Sequence, residues 1–315
     1  MAPPLYFALR VLAFATPVLL VAGVFEVAMR TIPHDFVVRR ERLAANAAPI
    51  ETLVLGSSHT YKGIDPSLLG GRAYSLAYLS QSYAEDLALL RAYEAELSSV
   101  RRIVLPLSYP SPYHRLAASP EDWRLNYYTA GYGLCPPRPR YALALTTWSP
   151  KQLAIRLWEH YRNDAPALRA DAATGFILPE ARTRAEDVGA DAAGAVERHT
   201  YHPDADRRYL DDNRRDLRAI LDWARERGAV VALVSVPTHA SYYGRLDSTQ
   251  LALARQIGRE AGEQSHVGYL DAFSRADFGP GDFDDADHLS LQGARRFTPV
   301  VDSLLDALET RGARR

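Results

Sequence analysis

Cysteine is almost missing from this 315-residue chain, where Cys135 stands alone. A single thiol excludes an intrachain disulfide, a thiolate-built zinc cluster and a dithiol redox pair. A chain of this length can bury a large core without disulfides, so the compartment stays open. An excess of one charge is missing too. Lys and Arg number 37 against 38 Asp and Glu, a net charge of -1, which offers no basic field for nucleic acid. Lysine itself is reduced to Lys62 and Lys151, and no function follows from that. No internal repeat is present. What remains is an ordinary globular balance, 47% hydrophobic and 24% charged. The length suits two domains or one large α/β domain.

Long apolar runs are scarce, with one exception. Val11 to Met29 reads VLAFATPVLLVAGVFEVAM, with Glu26 as its one charge. As a helix rising about 1.5 Å per residue it roughly spans a bilayer core of about 30 Å. Pro17 is tolerated in such a helix, and Glu26 lies near its far end, within reach of the interface. A cleaved signal peptide or a buried soluble helix would also present an apolar run. This one is long for a signal peptide, and no clear small-x-small site precedes Arg30. The reading is an anchor over 1–30 and a helical stalk over 31–50. Arg10 on one side and Arg30, Arg39, Arg40 and Arg42 on the other would, by charge bias alone, place the bulk of the chain in the cytoplasm.

Beyond the stalk, strand and helix patterns alternate five times. Strands are expected at Thr52–Leu55, Ala73–Ala77, Arg102–Leu107, Val230–Val236 and Val267–Leu270, as compact apolar runs of the kind buried in parallel sheets. Pro106 donates no ladder bond, so it is expected where the third strand leaves the sheet. Helices are expected over 83–97, 209–227, 246–262 and about 290–308, from apolar spacing and flanking stop signals. The alternation predicts an α/β fold with a doubly wound parallel sheet. Between the third and fourth strands lies an insertion over 109–205, with a helix at 150–162 and an Ala/Asp/Arg-rich, low-order stretch at 164–198. An insertion of that length reads as a lid or a mobile segment.

Two stretches carry chemistry. Leu53-Val54-Leu55-Gly56-Ser57-Ser58-His59 puts a serine directly after an apolar strand and a glycine, where open α/β sheets place ligands. A serine there also makes an ordinary helix N-cap. Near the other terminus, Asp285 and His288 stand three apart before the last helix. That spacing lets the carboxylate hold the imidazole in one tautomer while its other nitrogen takes a serine proton. Without a base the hydroxyl is a poor nucleophile. The bland alternative is a solvated acidic loop or a cation site, since Asp282, Asp284, Asp285 and Asp287 cluster there.

Together these ends resemble the SGNH/GDSL hydrolase superfamily. Its first block is a strand followed by Gly-Asp-Ser, matched by Gly56-Ser57-Ser58; its last is Asp-x-x-His, matched by Asp285-Ala286-Asp287-His288. The resemblance covers about residues 50–108 and 209–310. It implies a flavodoxin-like, doubly wound, five-stranded sheet as one domain over 51–315. Ser58 inherits the nucleophile role, Asp285 the orienting role and His288 the base role. The backbone amides of Ser58 and Ser80 are the implied oxyanion hole. Ser80 stands where the family's second block has glycine, and the third-block asparagine is missing, so that Ser108 or Tyr109 is the nearest substitute. Losing one oxyanion donor costs on the order of 100-fold or more. His59 and Gln81 are expected to line the site, whereas His199, His202 and His239 are expected at the surface or in a pocket, not on a metal.

The stretch from Gly56 to Pro66, with Ser80-Gln81 and Asp287-His288-Leu289-Ser290, is similar to membrane-anchored SGNH-like proteins of bacterial cell-surface polysaccharide systems. Relatives include accessory proteins for alginate acetylation and teichoic-acid D-alanylation. The implied function is a serine-dependent esterase or O-acyltransferase acting on a cell-surface polysaccharide. It would need no cofactor and would work beside a membrane-bound O-acyltransferase on the outer side of the cytoplasmic membrane, against the charge count. Two other readings stay open: a catalytically degenerate scaffolding or glycan-binding subunit, and a cation site on loop 282–287.

Overall fold

The computed structural model describes residues 3–45, 49–163, 168–176, 187–202 and 206–313. In chain order the elements are α1 (Pro3–Thr31), α2 (Asp35–Ala44), β1 (Thr52–Val54), α3 (Ser58–Gly63), β2 (Ala73–Ser75) and α4 (Tyr83–Ala92). They continue with β3 (Arg102–Pro106), α5 (Leu125–Ala130), α6 (Ala144–Thr147), α7 (Pro150–Tyr161), α8 (Ala192–His199) and α9 (Arg207–Glu226). The last are β4 (Val230–Ser235), α10 (Ala240–Tyr243), α11 (Ser248–Gly262), β5 (Val267–Asp271) and α12 (Leu291–Ala313). Two compact units result. One joins Met1–Arg40 to Asp122–Arg169, the other Glu41–Glu121 to Ala170–Arg315.

The second unit is built on a five-stranded sheet in the order β2-β1-β3-β4-β5, with every pair parallel. Its central strands are apolar without alternation, and all six residues of β4 are buried, as expected of a parallel strand covered on both faces. Leu53 pairs Tyr74 on one side and Ile103 on the other. The chain therefore reverses its direction of travel across the sheet at β1. The crevice beyond the carboxyl ends of β1 and β3 is the topological switch point, where such sheets hold ligands.

Pro106 stands where β3 ends: it is the last residue of the strand, in register with Val234. The last β1 to β3 bond runs from the Leu55 amide to the Val104 carbonyl at 3.0 Å, and the Leu55 carbonyl accepts Thr60 Oγ1 at 2.7 Å, so the missing N–H leaves that carbonyl paired. Leu107 then resumes bonding, its amide donating to the Val234 carbonyl at 2.8 Å. The pyrrolidine ring packs against Gly56, where an added Cβ would come within 2.1 Å of Pro106 Cγ and Cδ. Gly56 also has φ +99°, a backbone that L side chains rarely adopt. Contact and conformation together demand glycine at the turn that delivers Ser58.

The first unit contains α1, and the most apolar 18 residues of Pro4–Thr31 have mean hydropathy 2.2 with none of them buried. By length and composition it is able to cross a membrane. Glu26 is not idle at its end. Its carboxylate accepts the amides of Ala144 and Leu145, each at 3.2 Å, and the Arg30 guanidinium at 2.8 Å. Met29 and Ile32 are buried with Ala144 and Trp148, against which Leu153 and Leu157 pack. Residues 122–169 of the expected insertion thus group with α1, while residues 109–121 and 170–205 belong to the α/β unit. The expected stalk is a helix, α2, up to Ala44; residues 46–48 lie outside the described residues. Of the stretch expected to be low in order, 164–167 and 177–186 also lie outside them, whereas 192–199 form α8.

Candidate active site

Ser58 is positioned by the turn that ends β1. The Gly56 amide donates to Asp86 Oδ1 at 2.9 Å, and its carbonyl accepts the Tyr78 amide at 2.9 Å. Thr60 Oγ1 donates to the Leu55 carbonyl at 2.7 Å, closing the turn from the helix side. Ser57 is the N-cap of α3 and Ser58 its first residue. An amide at the first helical position has no intrahelical acceptor.

The partner loop is equally braced. Phe283 and Leu289 form an antiparallel bridge, Asp284 N donates to the His288 carbonyl at 3.0 Å, and Ser290 N donates to the Asp282 carbonyl at 2.9 Å. The Arg296 guanidinium bonds the Asp282 carboxylate. Gly293 permits this closure, since a Cβ there would meet the Asp282 carbonyl oxygen at 2.0 Å.

Across 230 residues of sequence, His288 Nε2 lies 2.7 Å from Ser58 Oγ. His288 Nδ1 lies 2.9 Å from both carboxylate oxygens of Asp285. Asp285 Oδ1 is held in turn by the amides of Asp287 at 3.1 Å and His288 at 2.9 Å. Burial works against the imidazolium of His288, but the charges of Asp287 and Asp285 and the Asp285 hydrogen bond outweigh it and raise the pKa. Burial would likewise raise Asp285, yet the bond and charge of His288, with Lys62, hold it well below the usual carboxylate range. Asp285 is therefore held in its ionised form beside an imidazole whose other nitrogen faces the serine hydroxyl, the geometry that a nucleophile, a base and an orienting acid would require.

Ser80 has φ +59°, the one non-glycine residue with positive φ among those described. Its hydroxyl bonds the Glu121 carboxylate, and its carbonyl accepts from His114 Nε2 at 2.8 Å. The residue thus holds a left-handed backbone that glycine would adopt without strain. Gln81 is buried, lines a small pocket with Gly56 and Ser57, and its Nε2 donates to Asp86 Oδ1 at 2.5 Å. Tyr109 is a core residue too, packed with Tyr242 and Phe273. Its hydroxyl shares a 3.0 Å bond with Thr200 and accepts the Asp247 amide at 3.2 Å. Ser108 is buried, and its Oγ has no hydrogen-bond partner among the described residues. Of the two nearest substitutes for the missing asparagine, Tyr109 is thus committed to Thr200 and Asp247, whereas the Ser108 hydroxyl is buried and unpaired among the described residues.

Several contributors escaped the sequence reading. Lys62 Nζ lies 3.8 Å from both Asp284 Oδ2 and Asp285 Oδ2; its helical spacing from Ser58, i and i+4, was a usable signal. Glu85 and Asp86 both stand in the first turn of α4, and Glu85 forms the capping box with Ser82. Burial pushes Asp86 up to about 7, against its bonds from Gln81 and Gly56.

His59 and His199 are not dispersed. His59 Nε2 and His199 Nδ1 lie 3.7 and 3.8 Å from Asp287 Oδ2, a buried oxygen without a hydrogen bond among the described residues. Burial, then the charges of the neighbouring histidines, lowers the pKa of His59 well below the ordinary value. Burial leads the same causes in bringing His199 to about 3. Ligand atoms of His59, Asp287 and His288 lie within 4.8 Å of one another, close enough to hold a metal ion, although His288 is already committed to Asp285 and Ser58. The acids of loop 282–287 do not converge on a cation. Asp282 is bound to Arg296 and the Gly279 amide, Asp285 to His288, and Asp284 faces Lys62. The sequence matches no family model and no curated protein.

Proposed function

We propose that this chain is a serine-dependent acyl-transfer enzyme of the SGNH type. It would be held at a membrane by α1 and act on ester groups of a cell-surface polysaccharide. The observation that carries this reading is the unbroken chain Ser58 Oγ, His288 Nε2, His288 Nδ1, Asp285, each link 2.7–2.9 Å long. It is supported by the strand order β2-β1-β3-β4-β5, the order of flavodoxin-like doubly wound sheets, with the serine at the switch point.

Chemically, Ser58 Oγ attacks the ester carbonyl carbon as its proton passes to His288 Nε2. The carbonyl oxygen takes the electron pair and is met by the Ser58 and Ser80 amides. Collapse expels the alcohol, which receives the proton from His288 and leaves an acyl-Ser58 ester. Water or a sugar hydroxyl then gives its proton to His288, attacks the acyl carbon and frees Ser58. The missing third oxyanion donor favours transfer from a specialised acyl donor over broad hydrolysis. A membrane-bound O-acyltransferase on the outer face of the cytoplasmic membrane is the partner this reading calls for.

The test is covalent trapping. A fluorophosphonate should label wild-type protein at Ser58, as read by peptide mass, and should fail to label Ser58→Ala or His288→Ala. A folded wild-type protein that stays unlabelled excludes an activated serine. The burial of Ser108 Oγ and the commitment of Tyr109 favour a second reading, a catalytically silent subunit that binds glycan. In that case Ser58→Ala would leave polymer modification in cells unchanged.

A further inference from the structure

The unit that contains α1 carries exposed apolar side chains that are not part of the Ser58 site. Outside α1, the strongly exposed large apolar side chains among the described residues are Leu68 and then Leu143, Ile155, Trp158, Tyr161 and Leu168. The last five all lie between residues 122 and 169, the segment grouped with α1.

On α7 they form a second face. Leu153 and Leu157, about 40° apart at about 100° per residue, pack inward beside Trp148. Ile155 and Trp158, 45% and 59% exposed, project from the far side, flanked by the exposed Lys151 and Arg162. Apolar and aromatic residues fringed by cations are the pattern of a helix lying in a membrane interface. Its depth is set by α1. Tyr161 Oη donates to the Ala28 carbonyl at 2.9 Å and shares a 2.7 Å bond with Thr31 Oγ1. Arg30 donates to the Ala142 carbonyl at 3.0 Å. α1 has 29 residues, about 43 Å of helix against about 30 Å of hydrocarbon, so its last turns emerge at the headgroups with α7 beside them.

Next to these bonds is a cavity of about 220 Å³ lined by Glu26, Arg30, His34, Arg40, Trp148 and Arg156. Its one carboxylate, Glu26, is already saturated by Arg30 and two backbone amides. Among the described residues the Arg156 guanidinium donates to the Pro33 carbonyl at 3.4 Å and lies 5.9 Å from the Trp148 ring centroid, with no carboxylate partner. Arg40 has no hydrogen bond or ion pair among the described residues. Burial, then Arg156 and Arg39, keeps His34 neutral, so the uncompensated charge is guanidinium, the group best suited to phosphate.

We propose that α6 and α7 form a lipid-binding collar. α7 lies in the headgroup layer with Ile155 and Trp158 at the acyl boundary, and the cavity takes the phosphate of an anionic lipid between Arg30, Arg40 and Arg156. This rests on α1 crossing the bilayer and is independent of the chemistry at Ser58.

The test uses the full chain carrying Cys135→Ser, spin-labelled at Trp158→Cys or at Phe14→Cys and reconstituted in phosphatidylglycerol–phosphatidylcholine vesicles. Both labels should collide more with oxygen than with a water-soluble nickel chelate. A label at 158 that is open to the chelate, or shielded from both relaxants by protein, overturns the collar. Chelate access at 14 as well overturns the anchor with it. In detergent, native mass spectrometry should find phosphatidylglycerol retained in preference to phosphatidylcholine. Arg40→Glu with Arg156→Glu should cut that retention about tenfold or more, while the control Arg218→Glu, exposed on α9 of the α/β unit, should not. Equal retention of both lipids, an equal loss in the control, or displacement by millimolar inorganic phosphate rejects the lipid site.

Discussion

At the scale of single residues, the decisive contact is His288 Nε2 to Ser58 Oγ. Asp285→Asn keeps the shape but offers an amide where a charge and a fixed tautomer are needed, so the acylation rate should fall by about 10⁴-fold. Asp287 has a different part. It contacts no reacting atom but adds a buried negative charge 3.7 Å from His288 Nδ1, which raises the imidazole. His288 must be neutral to take the serine proton, so activity should climb with pH through a midpoint above the ordinary histidine value. Asp287→Asn removes charge that favours imidazolium, and the midpoint should move down. A pH–rate profile of kcat/KM reads this directly, and an unchanged midpoint would count against a role for Asp287. The triad was legible because each half sits in a short stretch beside a recognisable element. The Asp287 cluster was not legible, because His59, His199 and Asp287 come from three distant segments, and no spacing along the chain encodes their meeting.

At the scale of elements, apolar runs marked β1, β3 and β4 to within a residue or two, since a parallel strand covered on both faces leaves a continuous signal. Pro106 marked the end of β3, because its missing donor is tolerated where the neighbouring β1 has stopped. α8 was invisible because Ala192–His199 holds few large apolar residues and is fixed by packing, with Ala192 and Ala195 beside Tyr109 and Tyr242. Asp86 on α4 makes an element-scale prediction. Its carboxyl is about 7 in the folded protein against 3.8 ordinarily, so the folded state binds more protons than the unfolded state between those values. Its contribution to unfolding free energy should therefore decrease as pH rises from about 4 to 7 and level off above. Asp86→Asn should remove that slope in urea titrations. Asp86→Ala should cost about 1–3 kcal/mol for each donor orphaned, Gly56 N–H and Gln81 Nε2, and should slow fluorophosphonate labelling by loosening the turn before Ser58.

At the scale of the whole molecule, the insertion was read as one lid-like piece, yet its sequence serves two units. Residues 122–169 supply Ala144, Trp148, Leu153 and Leu157 to a cluster with Met29 and Ile32. Residues 192–200 supply Ala192, Ala195, His199 and Thr200 to the surroundings of Tyr109, Tyr242 and Asp287. Composition could not separate these uses, because both halves are mixtures of small, aromatic and arginine residues whose partners lie more than 40 residues away. The division has a mechanical consequence. Ser58, His288, Asp285, Ser80 and Asp86 all belong to the α/β unit, so the groups proposed to perform the chemistry include no residue of 1–40 or 122–169. Tyr161→Phe tests this. It removes the hydroxyl that bonds Thr31 and the Ala28 carbonyl, a loss of about 0.5–1.5 kcal/mol for each bond, and should speed amide hydrogen exchange in α7. The rate at which Ser58 takes up a small soluble fluorophosphonate should stay within about twofold of wild type, since the bonds lost lie within the unit that supplies none of these groups. Faster exchange in α7 accompanied by a larger drop in labelling would count against that independence.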